Sequence, residues 1–484
     1  MKHIPFAAAL AAAAACLLFQ LAVLRPGHSW MDDAFMYVMH ARNLAAGAPY
    51  ADTCYRFNPE NPYPGPPVYP PGYPAFLAVL MKGGAGLSGF KTANAALLAC
   101  LLLCLAALFP AARAAPGGTA ALLLLGVSPV LTGLTGMVYS DILFCLLLYL
   151  ALLAWSLAKE RGGAAWFAAA GFCCYLAYAV RPLGGILPAA LLAESALSRS
   201  FTRARAAAGL AFAVPAVLQA VLSGPLAYGG LMKGAAIGTF LSGAAGTLAL
   251  FANSLVTFWA PDLGASAAAS VLGAALALAL LAAFAAGLKD RAARGELCAM
   301  DFFAPAYLAA VAAFRFYDGP RYLLPLVPYL LFTAPAGAAR LAGEKAARRG
   351  AALFLCAAFA LCAWNYAAAP AKAEDGPFSA PAQAMFSFLS GAASPGERVV
   401  FIKPRSLCFF TGLPASVYPA RKDDAGMLDY LQKEKVRWVV VSRLFPQDAE
   451  YLYGFAQRHR DLLRNVYENS DFKVLRFSRP GAGE

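Results

Sequence analysis

Charged residues are scarce in this chain: 13% of its 484 residues are Asp, Glu, Lys or Arg, against roughly 25% in a soluble domain. So little charge excludes an ordinary water-soluble enzyme. Histidine is scarcer still. His3, His28, His40 and His459 are scattered, and no pair has the spacing of a zinc protease or a catalytic triad, which removes the hydrolases built on those motifs. No internal repeat is visible, which argues against a transporter assembled from repeated halves. Of eleven cysteines, all but Cys54 and Cys408 fall in apolar runs and act as small apolar fillers. Cys100 and Cys104 share a helix face, but two thiols without His or carboxylate company are no metal site. Whether Cys54 and Cys408 pair is open at this level.

What the chain has in abundance is apolar sequence. Hydrophobic residues make up 61% and the mean hydropathy is +0.60. About eleven runs are long enough to cross the hydrocarbon core of a bilayer: 4–24, 91–112, 117–136, 139–158, 164–180, 182–198, 206–226, 268–288, 298–314, 322–339 and 350–368. Residues 228–262, rich in Gly, Ser and Thr, read as an external loop, a re-entrant helix or two further half-spans. The expected fold is therefore an α-helical polytopic membrane protein of about 11 to 13 spans. The start, MKHIPFAAAL, is that of an uncleaved signal-anchor.

The net charge of +13 would suggest nucleic acid in a soluble protein. Here no nucleic-acid partner is expected, because the basic residues report sidedness. Lys159 and Arg161, then Arg199, Arg203 and Arg205, then Lys289, Arg291 and Arg294, then Arg340, Lys345, Arg348 and Arg349 fall in every second connection, with Lys2 and Arg113 in phase. Those connections read as cytoplasmic. The Asp32 loop, the turns at Asp141, Arg181 and Arg321, and everything after about residue 370 then face the other side, the extracytoplasmic face of a bacterial inner membrane.

Two domains are expected. Residues 1–369 form the membrane domain, with an external loop at 25–73. Its segment DDAFMYVMHARNLAA, with Phe35, Met39 and Arg42 at helical spacing behind an acidic first turn, reads as a short amphipathic helix lying on the membrane. After Gly47 the prolines of NPENPYPGPPVYPPGYP exclude helix and sheet. Residues 370–484 read as a small soluble α/β domain: RVVFIKP, VRWVVVSRL and FKVLRFS look like strands, and DDAGMLDYLQKEK and DAEYLYGFAQRH look like helices. That segment carries no glycine-rich phosphate loop, metal-ligand cluster or evident nucleophile, so it reads as supporting rather than catalytic.

The candidate chemistry lies on the external side. Asp32 and Asp33 are carboxylates where a membrane ends, a position that costs free energy unless each has a partner or a task. Adjacent positions on a helix diverge by roughly 100°, so one is expected to be a base or ligand and the other a support, unless both merely cap the helix. Asp141, in YSDILF, is either an acid matched to a helix dipole or a second acid facing the same cavity. Arg181 in YAVRPLGG and Arg321 in DGPRYLLPLVP sit at external helix junctions. They either snorkel or pair with a carboxylate, or serve an anionic lipid headgroup.

Taken together, MDDAFMYVMHARNLAAG, YPPGYPAFL, YSDILF, RPLGG and RYLLPLVP, in that order, resemble the GT-C superfamily of membrane glycosyltransferases. The nearest group is glycosyltransferase family 39, related to protein O-mannosyltransferases and to the aminoarabinose transferase of lipid A. The resemblance spans essentially the whole chain. It implies an inverting transfer of sugar from a polyprenyl-phosphate donor to an acceptor hydroxyl in the cell envelope, the acceptor being a lipid, polysaccharide or protein. It makes Asp32 the catalytic base, Asp33 its acidic neighbour and Asp141 the second acidic turn. Tyr69 and Tyr73 belong to the donor or acceptor loop. Relatives that transfer aminoarabinose carry a Lys where this chain has Tyr69, so Lys82 or Arg181 would replace it at the phosphate, with Arg321 or a divalent cation beside them. A transporter or flippase of a lipid-linked saccharide, and a non-catalytic scaffold, are the competing readings.

Overall fold

A computed structural model describes residues 6–61, 65–111, 116–223, 237–263, 266–312, 319–368, 375–420 and 422–478. Lys2, His3, Arg113 and residues 228–236 lie outside the described residues. The chain divides into two compact units, one of residues 1–24 and 87–372, the other of 25–86 and 373–484. The second unit differs from the expectation: the external loop groups with the C-terminal segment rather than with the membrane domain.

The first unit is helical throughout its described residues, and a helix underlies each of the eleven apolar runs. Six helices are long and apolar enough to cross a membrane: Phe6–Val23, Leu87–Leu108, Asp141–Arg161, Arg203–Val221, Ala267–Ala293 and Glu344–Ala368. The pair Gly117–Gly126 and Pro129–Thr135, bent by 46°, is a broken span or a re-entrant loop. These helices make a multi-pass membrane protein. Ala164–Val180, Pro182–Leu197 and Ala299–Ala312 are shorter apolar helices, and a helix Ile237–Thr257 occupies most of the segment that the sequence leaves open.

The bend has a local cause. Pro129 has no N–H to continue the preceding helix, so carbonyls are released in apolar surroundings and need donors. The Gln20 amide donates to the Gly126 carbonyl (2.7 Å), and the Tyr366 hydroxyl to that of Val127 (2.9 Å). Elsewhere small residues let helices approach closely: a Cβ on Gly171 would strike the backbone of Ala208 on the facing helix.

In the second unit a five-stranded mixed sheet has the order β2-β1-β3-β5-β4, with β1 Arg398–Val400, β2 Ala415–Ser416, β3 Val436–Ser442, β4 Leu463–Glu468 and β5 Phe472–Phe477. β1 is parallel to β2 and β3, while β5 is antiparallel to β3 and β4. The apolar run VRWVVVS is central because it is buried on both faces. The three strands and two helical stretches read from sequence are all present. β2 and β4 were not expected: β2 is two residues long, and β4 is largely exposed and gives no apolar signal.

The N-terminal loop enters this core. Trp30 meets the rings of Phe386, Phe401, Phe445 and Phe472 at centroid distances of 5.5–6.3 Å. Asn58 and Asn61 donate to the carbonyls of Val417 and Tyr418. Gly376, at φ +45°, packs against the carbonyl of His28 so closely that no Cβ fits. The helix Asp33–Ala46 follows, and here the sequence expectation fails. It is not an amphipathic helix lying on the membrane, because residues 34–41 are all buried. Two helices cover it, Gly72–Lys82 and Pro404–Thr411, so it has no single apolar face.

Candidate functional site

The acid pair is organised by two residues 372 to 374 positions away in sequence, Arg405 and Ser406. Pro404 opens the Pro404–Thr411 helix directly after β1, as proline does at a first helical position. The N–H groups that follow have no partner within their own helix. Asp32 supplies one. Its carboxylate accepts from the N–H of Arg405 (3.1 Å), the N–H of Ser406 (2.9 Å) and the Ser406 hydroxyl. Asp32 is 6% exposed. Burial pushes its carboxyl above the ordinary range, against the opposing pull of Arg405, Lys403 and Ser406.

Asp33 points elsewhere. Its Oδ1 accepts from the Arg405 guanidinium and from the Tyr69 hydroxyl, both at 2.6 Å. The Asp33 side chain is 31% exposed, whereas that of Arg405 is 2% exposed. The guanidinium also lies 5.2 Å from the Tyr55 ring centroid and 5.3 Å from that of Tyr69. Burial opposes the charge of Arg405, but Tyr69, Asp33, Asp32 and Tyr55 outweigh it and hold its pKa above the ordinary value. The two acids diverge as adjacent positions should, yet one residue satisfies both: the backbone of Arg405 holds Asp32 and its side chain holds Asp33. Tyr69 is thus in contact with the acid pair. Tyr73 is buried against Tyr37, with ring centroids 5.1 Å apart. Lys82 is exposed at the far end of the same helix, about 14 Å along its axis from Tyr73 at 1.5 Å per residue. It does not join the Asp33–Tyr69 cluster.

The remaining candidates meet in the helical unit. Asp141 begins the Asp141–Arg161 helix, 2% exposed. Arg181 follows the Ala164–Val180 helix in extended conformation, as a residue before proline prefers. Its Nη2 lies 2.6 Å from Asp141 Oδ2, and its Nε donates to the Ser140 hydroxyl (3.1 Å). Arg321, on the turn Gly319–Leu323, brings Nη1 to 3.8 Å from the same oxygen. Its guanidinium lies 4.9 Å from the Tyr139 ring centroid. Asp141 therefore brings two arginines together.

Among the described residues no three His, Cys, Asp or Glu side chains are grouped to hold a metal ion.

Arg405 and Ser406 are the residues that sequence reasoning missed. Their signal was present: a proline just after a predicted strand starts a helix, and a new helix N-terminus favours a carboxylate.

A second carboxylate of this unit is buried with uncharged hydrogen-bond donors. Asp448 accepts from the Tyr418 hydroxyl (2.6 Å) and the Ser442 N–H (2.7 Å). Burial raises it from 3.8 to about 6. An unfolded chain ionises it near 3.8, whereas the folded chain holds the proton until about 6. Its contribution to stability is thus complete below the unfolded value and is lost as pH rises through 6. In melting scans from pH 4 to 7, Asp448→Asn should gain on the wild type as pH rises. A difference independent of pH would contradict this.

The chain is similar in fold to solved structures. ArnT from Cupriavidus metallidurans, solved bound to undecaprenyl phosphate, matches with a TM-score of 0.52 at 14% identity, over 97% of this chain and 98% of that one. The oligosaccharyltransferase of Archaeoglobus fulgidus, tethered to an acceptor peptide, matches with a TM-score of 0.56 at 12% identity, over 90% of this chain and 69% of that one. The archaeal oligosaccharyltransferase AglB from Archaeoglobus fulgidus, in complex with an inhibitory peptide and a dolichol-phosphate, gives 0.52 at 13% identity, over 90% of this chain and 69% of that one. No protein-family model and no curated sequence matches the chain.

Proposed function

We propose that this protein is an inverting glycosyltransferase that moves a sugar from a polyprenyl-phosphate donor to an acceptor hydroxyl on the extracytoplasmic face of the membrane. The observation that carries the reading is the pair Arg181 and Arg321 on the single carboxylate of Asp141. Two guanidinium groups converging at the start of an apolar helix suit the phosphate of a lipid-linked donor. The solved neighbours support the same ligand class, being bound to undecaprenyl phosphate and dolichol-phosphate. In this reading the phosphate is neutralised by arginine rather than by a divalent cation, and Asp141 is a positioning residue, not a second catalytic acid.

The base is read as Asp33 rather than Asp32. A group that takes a proton from an incoming hydroxyl must be reachable. Asp33 is the more exposed acid, while the carboxylate of Asp32 is occupied at a helix start. Asp33 accepts the proton as the acceptor oxygen bonds to the anomeric carbon. The bond from that carbon to phosphate oxygen breaks, and polyprenyl phosphate leaves with its electron pair. A phosphate needs little protonation to depart, so no paired acid is called for. The basic residues in alternate connections support a cytoplasmic N-terminus and an extracytoplasmic second unit. Sugar and acceptor are left to experiment.

The test is donor-phosphate binding. Purified protein is titrated with undecaprenyl phosphate, wild type beside Arg321→Gln and Arg181→Gln. Loss of one charge-assisted contact should weaken binding by about 10- to 100-fold. Unchanged affinity in both folded variants would remove the arginines from this role. A panel of polyprenyl-phosphate sugars then identifies the donor by transfer of label to envelope extract.

A further inference from the structure

We propose that Cys54 and Cys408 are a modification site, a thiol pair that closes to a disulfide and fastens the Pro-rich loop to the C-terminal sheet. Both are free thiols among the described residues. Residues around Cys54 extend the sheet beside β2: Ala415 donates its N–H to the Cys54 carbonyl (3.1 Å), and Arg56 donates to the Ala415 carbonyl (2.7 Å). Tyr55 and Ala415 form a parallel bridge. Cys408, on the Pro404–Thr411 helix, directs its sulfur to the carbonyl of Leu413 (3.4 Å), two residues before Ala415. Both cysteines therefore flank the Leu413–Ala415 segment, Cys54 through its backbone and Cys408 through its sulfur.

The environments divide the chemistry between them. Cys54 is half-buried and Cys408 is buried. The neighbouring Cys408 holds the Cys54 thiol below its ordinary pKa, while burial pushes Cys408 well above. Cys54 is thus the attacking thiolate and Cys408 the resolving thiol. With a small disulfide such as oxidised glutathione, Cys54 sulfur bonds to one glutathione sulfur and the other leaves as thiolate. Cys408 then loses its proton, bonds to Cys54 sulfur and displaces the second glutathione. One S–S bond breaks and one forms. Two electrons pass to the oxidant, and the two cysteine protons end on two glutathione thiols.

The bond would act on the acid pair through the helix it grips. Cys408 is three residues from Arg405, so it lies about one turn along the same helix. Closing the bond fixes the element that holds Asp32 by its backbone and Asp33 by its guanidinium. Bond formation does not depend on the transferase reading.

The experiment uses the full chain in detergent, incubated with oxidised glutathione, quenched by alkylation, digested without reduction and mapped by mass spectrometry. A peptide joining Cys54 to Cys408 is expected as the main product at these positions, lost on reduction and absent from Cys54→Ser and Cys408→Ser. Recovery of both cysteines as separate alkylated or glutathionylated residues would overturn the proposal, as would partnering of Cys54 with any other cysteine.

Discussion

Asp33→Asn should leave donor binding intact and lower sugar transfer by about 100- to 10,000-fold, the range for loss of a general base. Asn keeps the size of the side chain and can still accept a hydrogen bond from Tyr69, and a melting curve measures what the lost ion pair with Arg405 costs in stability. Asp32→Asn should behave differently. An amide presents only one acceptor atom to the two N–H groups and one hydroxyl now held by the carboxylate. Leaving such a buried group unpaired costs about 1–3 kcal/mol. That variant should melt earlier, with transfer falling in proportion to the folded fraction. Transfer assays on both variants, each paired with a melting curve, separate the roles. Normal transfer by Asp33→Asn beside inactive but stable Asp32→Asn would return the base to Asp32, where the family resemblance puts it.

The second large effect is at Arg405. Replacing it with Met keeps much of its bulk but removes the charge that faces Asp33 at 2.6 Å. Breaking a buried ion pair from one side costs about 3–5 kcal/mol. The partner left behind is about a third exposed, so water relieves part of that loss, and about 2–4 kcal/mol is the expected decrease in stability. Arg405 is a positioning residue, and a merely structural role would leave the pH dependence of turnover unmoved. Removing a guanidinium from a carboxylate favours its protonated form. The acid limb of the pH–rate profile should therefore move to higher pH in Arg405→Met and stay closer to wild type in Arg405→Lys. A profile that does not move would limit Arg405 to holding the fold.

Much of this was legible in the sequence for physical reasons. Apolar runs of spanning length became helices because each is long, rich in Leu and Ala, and ended by Gly, Pro or charge. The strands at Arg398, Val436 and Phe472 were legible because β-branched and aromatic residues cluster there. The convergence of Asp141, Arg181 and Arg321 was one of the readings left open, since all three sit at junctions on one predicted side. Long-range pairing was not legible. Nothing local in PRSLCFFT marks its arginine for burial, because the carboxylate and phenols that make burial tolerable lie more than 300 residues earlier. The helix at Asp33 was misread as a surface element for the same reason: its second covering helix comes from the far end of the chain. Lys82 was a candidate only by substitution for a missing lysine, and its position at the exposed end of a helix gives it no link to Asp33.

The second unit is made from two pieces of chain, 25–86 and 373–484, and that imposes an order on biosynthesis. At about 5–20 residues per second, the ribosome needs roughly 15–60 s to travel from the end of the first piece to the start of the second. Throughout that interval Trp30 has none of its four aromatic neighbours, and neither Asp32 nor Asp33 has Arg405. The acid pair takes its final geometry only after nearly the whole chain has emerged, so a product truncated before residue 404 carries both carboxylates but never the assembled site.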